Sequence, residues 1–187
     1  HASTATWISD GDLMLGGKGT HFDPSPPLEG ADSPPGDIWV ARVDPSEQDI
    51  LWQLEVDAGE APEDVLSIVQ ADDGGFVVLA RSGEAYSSYR TDLMRLDAGG
   101  EIQWHVGLLT DPPFYPLDMA ATSDGGVLVL GSRDLNATVI RIDRLGNVVW
   151  TLWKDRPGEL DDDLLTPVSL HAVDDDTFTV VSAFRDI

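Results

Sequence analysis

Short apolar runs separated by polar, glycine-bearing turns recur along the whole chain. The pattern is clearest over residues 121–150. A segment ending near Ala121 meets the turn Ser123-Asp124-Gly125-Gly126, and the apolar run Val127-Leu128-Val129-Leu130 follows. A second run, residues 138–142, ends at Asp143, and a short turn leads to Asn147-Val148-Val149-Trp150. Runs of this length bounded by Asp and Gly predict short antiparallel strands joined by tight turns. The unit repeats. Asp73-Gly74-Gly75-Phe76 begins 51 residues before Asp124, and Asp175-Asp176-Thr177-Phe178 begins 51 residues after it.

Extended along the chain, the pattern predicts fourteen strands in groups of four, four, four and two. They fall near residues 4–8, 13–15, 38–43 and 50–56, then 66–70, 76–80, 92–96 and 101–107. The later ones are 117–121, 127–130, 138–142 and 147–153, then 168–173 and 178–182. Four-stranded repeats of this period predict an all-β fold, a β-propeller of four-stranded antiparallel blades. About three and a half blades lie in this chain, as units 4–56, 66–107, 117–153 and 168–187. Phe76-Val77-Val78-Leu79 has no polar face, as expected of a strand sandwiched between neighbouring sheets. Between the strands there is no amphipathic segment long enough for the helix of a βαβ unit.

The spacing from Asp10 to Asp73 is 63 residues, twelve more than the later repeats. The excess falls in residues 17–36, rich in Pro, Gly and Asp, which reads as a long loop between the second and third strands of the first unit. The corresponding loop of the second unit, residues 82–90, contains Tyr86, Ser87, Ser88 and Tyr89. Both join second and third strands, so both are expected at one end of the molecule. Long loops on a rigid scaffold are where binding residues concentrate.

A second motif closes each unit: Asp97-Ala98-Gly99-Gly100 with Trp104, and Asp143-Arg144-Leu145-Gly146 with Trp150, each Trp seven residues beyond the Asp. Asp44 and Trp52 fit with one extra residue and without a glycine at the place of Gly100. Asp can accept from turn amides, Gly can take the left-handed conformation, and Trp offers a broad face for filling the space between blades. Arg42, Arg95 and Arg141 each stand two residues before the motif Asp, placed to pair with a carboxylate of the same or the adjoining unit. These repeats resemble those of bacterial secreted β-propellers, and they are similar to the tryptophan-docking repeats of quinoprotein and outer-membrane-assembly propellers. The resemblance implies that Asp, Gly and Trp lock neighbouring blades. It carries over no quinone-binding residue, and the sialidase Asp-box is absent.

Charge narrows the partners. Thirty-four acidic against 11 basic residues give a formal charge of −23, which disfavours nucleic acid and anionic membranes because phosphate binding needs a cationic footprint. The chain has no cysteine, no initiator Met and no apolar run long enough to span a bilayer. His1 reads as a processing boundary. Were it a mature terminus, its amine and imidazole could hold copper or zinc with His21. The acidic groups read by default as a solvated face with no cofactor, and the alternative is calcium held across loops by Asp23, Asp32, Asp37 and Asp161-Asp162-Asp163. His105 and His171 are expected to have structural roles.

The sequence thus points to a secreted, periplasmic or cell-surface binding or scaffold module. Its ligand-binding candidates are His21, Asp23, Asp32, Tyr86 and Tyr89, and its partner is a protein or a glycan. No catalytic residue is assigned. The alternative is a glycan-active hydrolase or lyase using Asp23, Asp32, His21 and Tyr86 for acid–base work. The half unit at the end leaves three arrangements open: an abbreviated fourth blade, part of a larger propeller, or completion by a second chain.

Overall fold

The computed structural model describes residues 2–19, 37–57, 63–83, 90–108, 113–133, 136–154, 164–173 and 177–185. Among them the fold is all-β, without a helix. The first sheet is an antiparallel meander of β1 (Ala2–Trp7), β2 (Leu13–Lys18), β3 (Ile38–Asp44) and β4 (Asp49–Val56). The second contains β5 (Glu63–Gln70), β6 (Phe76–Ser82), β7 (Arg90–Leu96) and β8 (Ile102–Leu108). The third contains β9 (Tyr115–Ala121), β10 (Val127–Arg133), β11 (Asn136–Ile142) and β12 (Val148–Lys154). A two-stranded sheet of β13 (Leu164–Ala172) and β14 (Phe178–Arg185) follows.

Each predicted strand overlaps one of these. Several are longer than their apolar runs, because backbone pairing continues through polar residues whose N–H and C=O groups still need partners. Lys18 pairs with Ile38, and Ser82 with Arg90. The loops read as 17–36 and 82–90 are therefore shorter at their ends than the sequence suggested. Likewise β5 begins at Glu63, β9 at Tyr115 and β13 at Leu164, each earlier than the strand start read from the sequence.

The sheets stack face to face in chain order. The first strand of each following sheet (β5, β9 and β13) lies against the sheet before it. Successive side chains of a strand point to opposite faces, so a strand between two sheets must be apolar at every position. In β6, Phe76, Val78 and Ala80 pack with Met14, Ile38 and Val40 of the first sheet, while Val77 and Leu79 pack with Val127 and Val129 of the third and with Phe114 just before it. In β10, Leu128 and Leu130 then pack towards Leu170 of the fourth. The missing polar face of these runs is the sandwich itself.

Two repeated devices join the sheets. The first is a tryptophan seated on a glycine. Asp97 accepts from the amides of Gly99 and Glu101, both at 2.9 Å, and Gly100 closes that turn at φ +87°. A β-bulge before each motif Trp interrupts the register, between Arg42 and Val43, Arg95 and Leu96, and Arg141 and Ile142. Trp52 crosses to the second sheet, where a Cβ on Gly100 would lie 2.7 Å from its ring, and its Nε1 donates to Ala98 O at 3.2 Å. Trp104 repeats this on Gly146, donating to Arg144 O at 2.9 Å. In the first sheet Gln48 adopts φ +59° where a glycine would otherwise stand.

The second device is the arginine pair. Arg42 binds Asp10 and Asp12, Arg95 binds Asp73 at 2.6 Å, and Arg141 binds Asp124 at 2.5 Å, each within its own sheet. Arg42 and Arg95 also donate across to the next sheet, to Ala98 O at 3.4 Å and Gly125 O at 2.9 Å. Carboxylates from the first turn thus fix the arginines that tie the first sheet to the second and the second to the third.

Replacing Gly100 by Ala should lower stability by about 1–3 kcal/mol, since it strains a positive φ and strikes the Trp52 ring. Gly99→Ala, in the same turn but with only the Asp97 carboxylate nearby, should stay within about 0.5 kcal/mol. Urea unfolding measures both. Combining Gly100→Ala with Trp52→Ala should cost less than the sum of the single losses, because the clash vanishes with the ring.

Candidate functional site

The two ends of the stack differ in chemistry. At one end lie the short turns that carry the Asp–Arg pairs. Between the second and third sheets they frame an open groove of about 560 Å³ lined by Asp73, Arg95, Asp97, Trp104, Asp124 and Arg144 among others. Its polar groups are largely engaged in holding the protein together. Arg95 is spent on Asp73 and Gly125 O, Gln103 donates to Asp97 at 3.2 Å, and Trp104 to Arg144 O.

These contacts also hold carboxyl groups below their ordinary pKa. For Asp73 the Gly75 amide is the main cause, helped by Arg95 against a burial cost. Burial is the largest single influence on Asp124 and acts upward, but the Thr122 hydroxyl, the Gly126 amide and Arg141 together outweigh it. Asp143 is lowered by the backbone and side-chain amides of Asn147 and by the Leu145 amide. The Ser46 hydroxyl and amide, then the Glu47 amide, lower Asp44.

The opposite end carries the long connections. Ile38 N donates to Glu63 Oε2 at 3.0 Å, and Glu63 pairs in register with Ser82, so the stems of the 20–36 and 84–89 segments emerge side by side. Here the second sheet turns from apolar to charged on the face towards the first sheet. Beyond Ala80 and Met94, the Asp92 side chain is 0 % exposed. Its Oδ1 accepts from Arg90 Nη2 and pairs with His105 Nε2, both at 2.9 Å, and its Oδ2 accepts from Ser82 Oγ at 3.3 Å. Arg90 lies flat across Gly107, where a Cβ would come within 2.8 Å of its Nε.

This cluster orders an imidazole. With Nε2 on the carboxylate, the His105 ring is fixed in orientation and its Nδ1 faces away from Asp92. Ser82 is bound to Asp92 rather than to His105, so the three residues do not form the hydroxyl–imidazole–carboxylate relay of nucleophilic catalysis. They provide a positioned, partly exposed His and Arg on a buried anion.

A second feature borders the same end. An open groove of about 510 Å³ is lined by Ala2, Lys18, Gly19, Trp39, Gln53 and Glu55, at the root of the 20–36 segment. Trp39 is half-buried, and its Nε1 donates to Gln53 Oε1 at 3.4 Å. An aromatic surface beside an amide, a carboxylate and an ammonium can contact both faces and hydroxyls of a polar ligand.

The sequence candidates His21, Asp23, Asp32, Tyr86 and Tyr89 lie outside the described residues, as do His1 and Asp161-Asp162-Asp163. Among the described residues, no three His, Asp or Glu side chains gather at a metal position. His105 has the structural bond expected of it. His171, on β13, is exposed rather than packed. Asp92 and Trp39 were passed over because each sits inside a predicted strand. The available signal was the alternation of Arg90 and Asp92, which puts two opposite charges on one face of an otherwise apolar strand. No family model matches the sequence, and no curated protein does.

Two outcomes follow. Asp92→Asn should cost about 1–3 kcal/mol in urea unfolding, because it removes the anion from Arg90 and His105, while partial exposure of Arg90 softens the loss. Acidification should destabilise through the four lowered carboxyls. Depressed folded pKa values give stability that is full above the unfolded carboxylate range near about 3.9, and it is lost as pH falls through the folded values. Asp73→Asn and Asp124→Asn should each flatten that acid limb in thermal scans.

Proposed function

We propose that this chain is an extracytoplasmic binding or scaffold module built as a β-propeller of four-stranded blades, with its ligand held at the loop end. The observation that carries this reading is the asymmetry between the ends. Side chains at the turn end are occupied in joining sheets. The loop end gathers Trp39, Lys18, Gln53 and Glu55 beside one long connection and Arg90 and His105 beside another.

The propeller reading is supported by the constant relation between consecutive sheets and by the outer face of the first sheet. Trp7, Leu13, Leu15 and Val43 lie there by alternation, away from the second sheet, and Trp7 is 68 % exposed. A closed ring would cover the turn-end part of that face with another blade, while Trp39, which shares the face through its pairing with Gly17 and Glu55, would stay accessible from its loop-end margin.

The ligand class that best fits the loop end is a neutral or cationic glycan or a polar protein loop. An aromatic face stacks on a sugar ring, and the acidic surface repels polyanions. Trp39→Ala should weaken binding at least about tenfold to any ligand recovered from a neutral-glycan array or a peptide library, without changing the unfolding midpoint. Replacing residues 20–36 with a short Gly-Ser linker should do the same. Folded variants of both kinds that bind as tightly as the parent would overturn the assignment.

A further inference from the structure

The loop-end residues of the first two sheets occupy the same places in the repeat. Arg42 pairs with Trp52 as Arg95 pairs with Trp104, and counting back from these pairs matches Trp39 to Asp92, Gln53 to His105 and Glu55 to Gly107. In the third sheet the same places hold Thr138, Thr151 and Trp153. The cross-strand bond is repeated too: Trp39 Nε1 donates to Gln53, and Asp92 bonds to His105. Asp, Arg and Trp at the turn end are constant in all three sheets, because they do one packing job. The loop-end places carry a different chemistry in each sheet. The Asp92 cluster is thus the counterpart of the Trp39 groove, set in the joint between the first and second sheets.

Its polar groups have capacity left. An ionised carboxylate only accepts, so the neutral His105 ring must carry its proton on Nε2, and Nδ1 is a bare acceptor. The His105 side chain is 27 % exposed. Arg90, 42 % exposed, spends Nη2 on Asp92, while its Nε lies buried over Gly107 without an acceptor. The charges of Arg90 and Asp92 cancel, so the cluster offers an acceptor beside donors and no net charge. The wall across the joint is apolar. Leu54 and Val56 of β4 pack on the core shared by the two sheets, and Trp52 of the same strand reaches the β7–β8 turn, which sets β4 opposite β8.

We infer that the outer margin of this joint is a second ligand subsite, taking a neutral hydroxylated ring of the sugar class. One ring hydroxyl donates to His105 Nδ1, a neighbouring hydroxyl accepts from Arg90, and the C–H face of the ring rests on Leu54 and Val56. Asp92 is a positioning residue, holding both polar groups without touching the ligand. An anion is disfavoured, because the one cation present is already matched and the surrounding surface is acidic. A planar amide could use the two polar contacts but has no apolar face to set against β4. The inference rests on the loop-end reading and gives it a contact independent of Trp39.

Neutral methyl pyranosides, titrated singly into the full chain, test this through the ring nitrogens of His105 by NMR. The free protein should show the Nε2–H tautomer, and at least one pyranoside should shift Nδ1 while Nε2 stays in place. His105→Gln, whose amide still reaches Asp92 but lacks the second ring nitrogen, should bind that pyranoside about three- to tenfold more weakly. Arg90→Lys, which keeps a cation on Asp92, should weaken it by a similar factor and serves if the first variant unfolds. An Nδ1–H tautomer, or no Nδ1 response to any pyranoside at its solubility limit, would overturn the inference. So would parental affinity in a folded variant of either kind, or a stronger Nδ1 response to acetamide than to the pyranosides. Trp39→Ala should leave the Nδ1 response unchanged. If Nδ1 is silent while Trp39-dependent binding persists, only this subsite falls; if Nδ1 responds and the Trp39 groove binds nothing, only the groove assignment does.

Discussion

The stack depends on one repeated contact, an indole laid on a residue that has no side chain. A sheet of four short strands has two faces, and here both are apolar, so none of the sheets is stable facing water alone. Something must set the distance and angle at which the next sheet arrives. Trp52 and Trp104 do this by spanning from the last strand of one sheet to the closing turn of the next, with Gly100 and Gly146 beneath them. The bulge before each Trp rotates it towards that turn, and the indole N–H then fixes the register through one backbone carbonyl.

The arginines act on the same joint from a different direction. A guanidinium offers several donors in a plane, so Arg95 can bind Asp73 in its own sheet and Gly125 O in the next at once. Its side chain is almost wholly buried, and the paired carboxylate removes the cost of leaving that charge unmatched. In a chain of net charge −23, spending scarce cations at the sheet joints leaves the remaining surface strongly acidic. The excess negative charge is tolerated because the carboxylates that matter for folding are those given amides and guanidinium groups.

This use of polar groups divides the molecule into a structural end and an available end. Tight Asp-Gly turns fill the first. The second holds Asp92, a buried anion that orients Arg90 and His105, and Trp39 beside the root of the long insertion. Variation in the connections at the available end leaves the tryptophan and arginine joints in place, because those are made at the other end of the strands, and Glu63 and Thr91 add single bonds between sheets at the loop end. That separation is what allows one rigid repeat to carry loops of different length.

The number of strands, their grouping and the turn chemistry were determined by sequence alone. Their cause is local: a run of apolar residues, an Asp that caps turn amides, and a Gly that accepts positive φ act within a few positions of one another. The identities of Trp52, Trp104 and Arg95 as packing residues also followed from their once-per-unit recurrence. What those side chains touch was decided only in three dimensions. Gly100 and Trp52 are 48 residues apart, and Arg95 and Gly125 are 30 apart, so no local rule links them. Asp92 gave little sign in the sequence because a single acid in a strand does not reveal which charges from other strands it will meet. The two strands of the last sheet were countable from the repeat, but the stacking of Trp150 on Phe178, which joins the third sheet to the fourth, is a property of the packed sheets. Periodicity fixes what recurs along a chain; long-range packing selects which neighbour each recurring side chain finds.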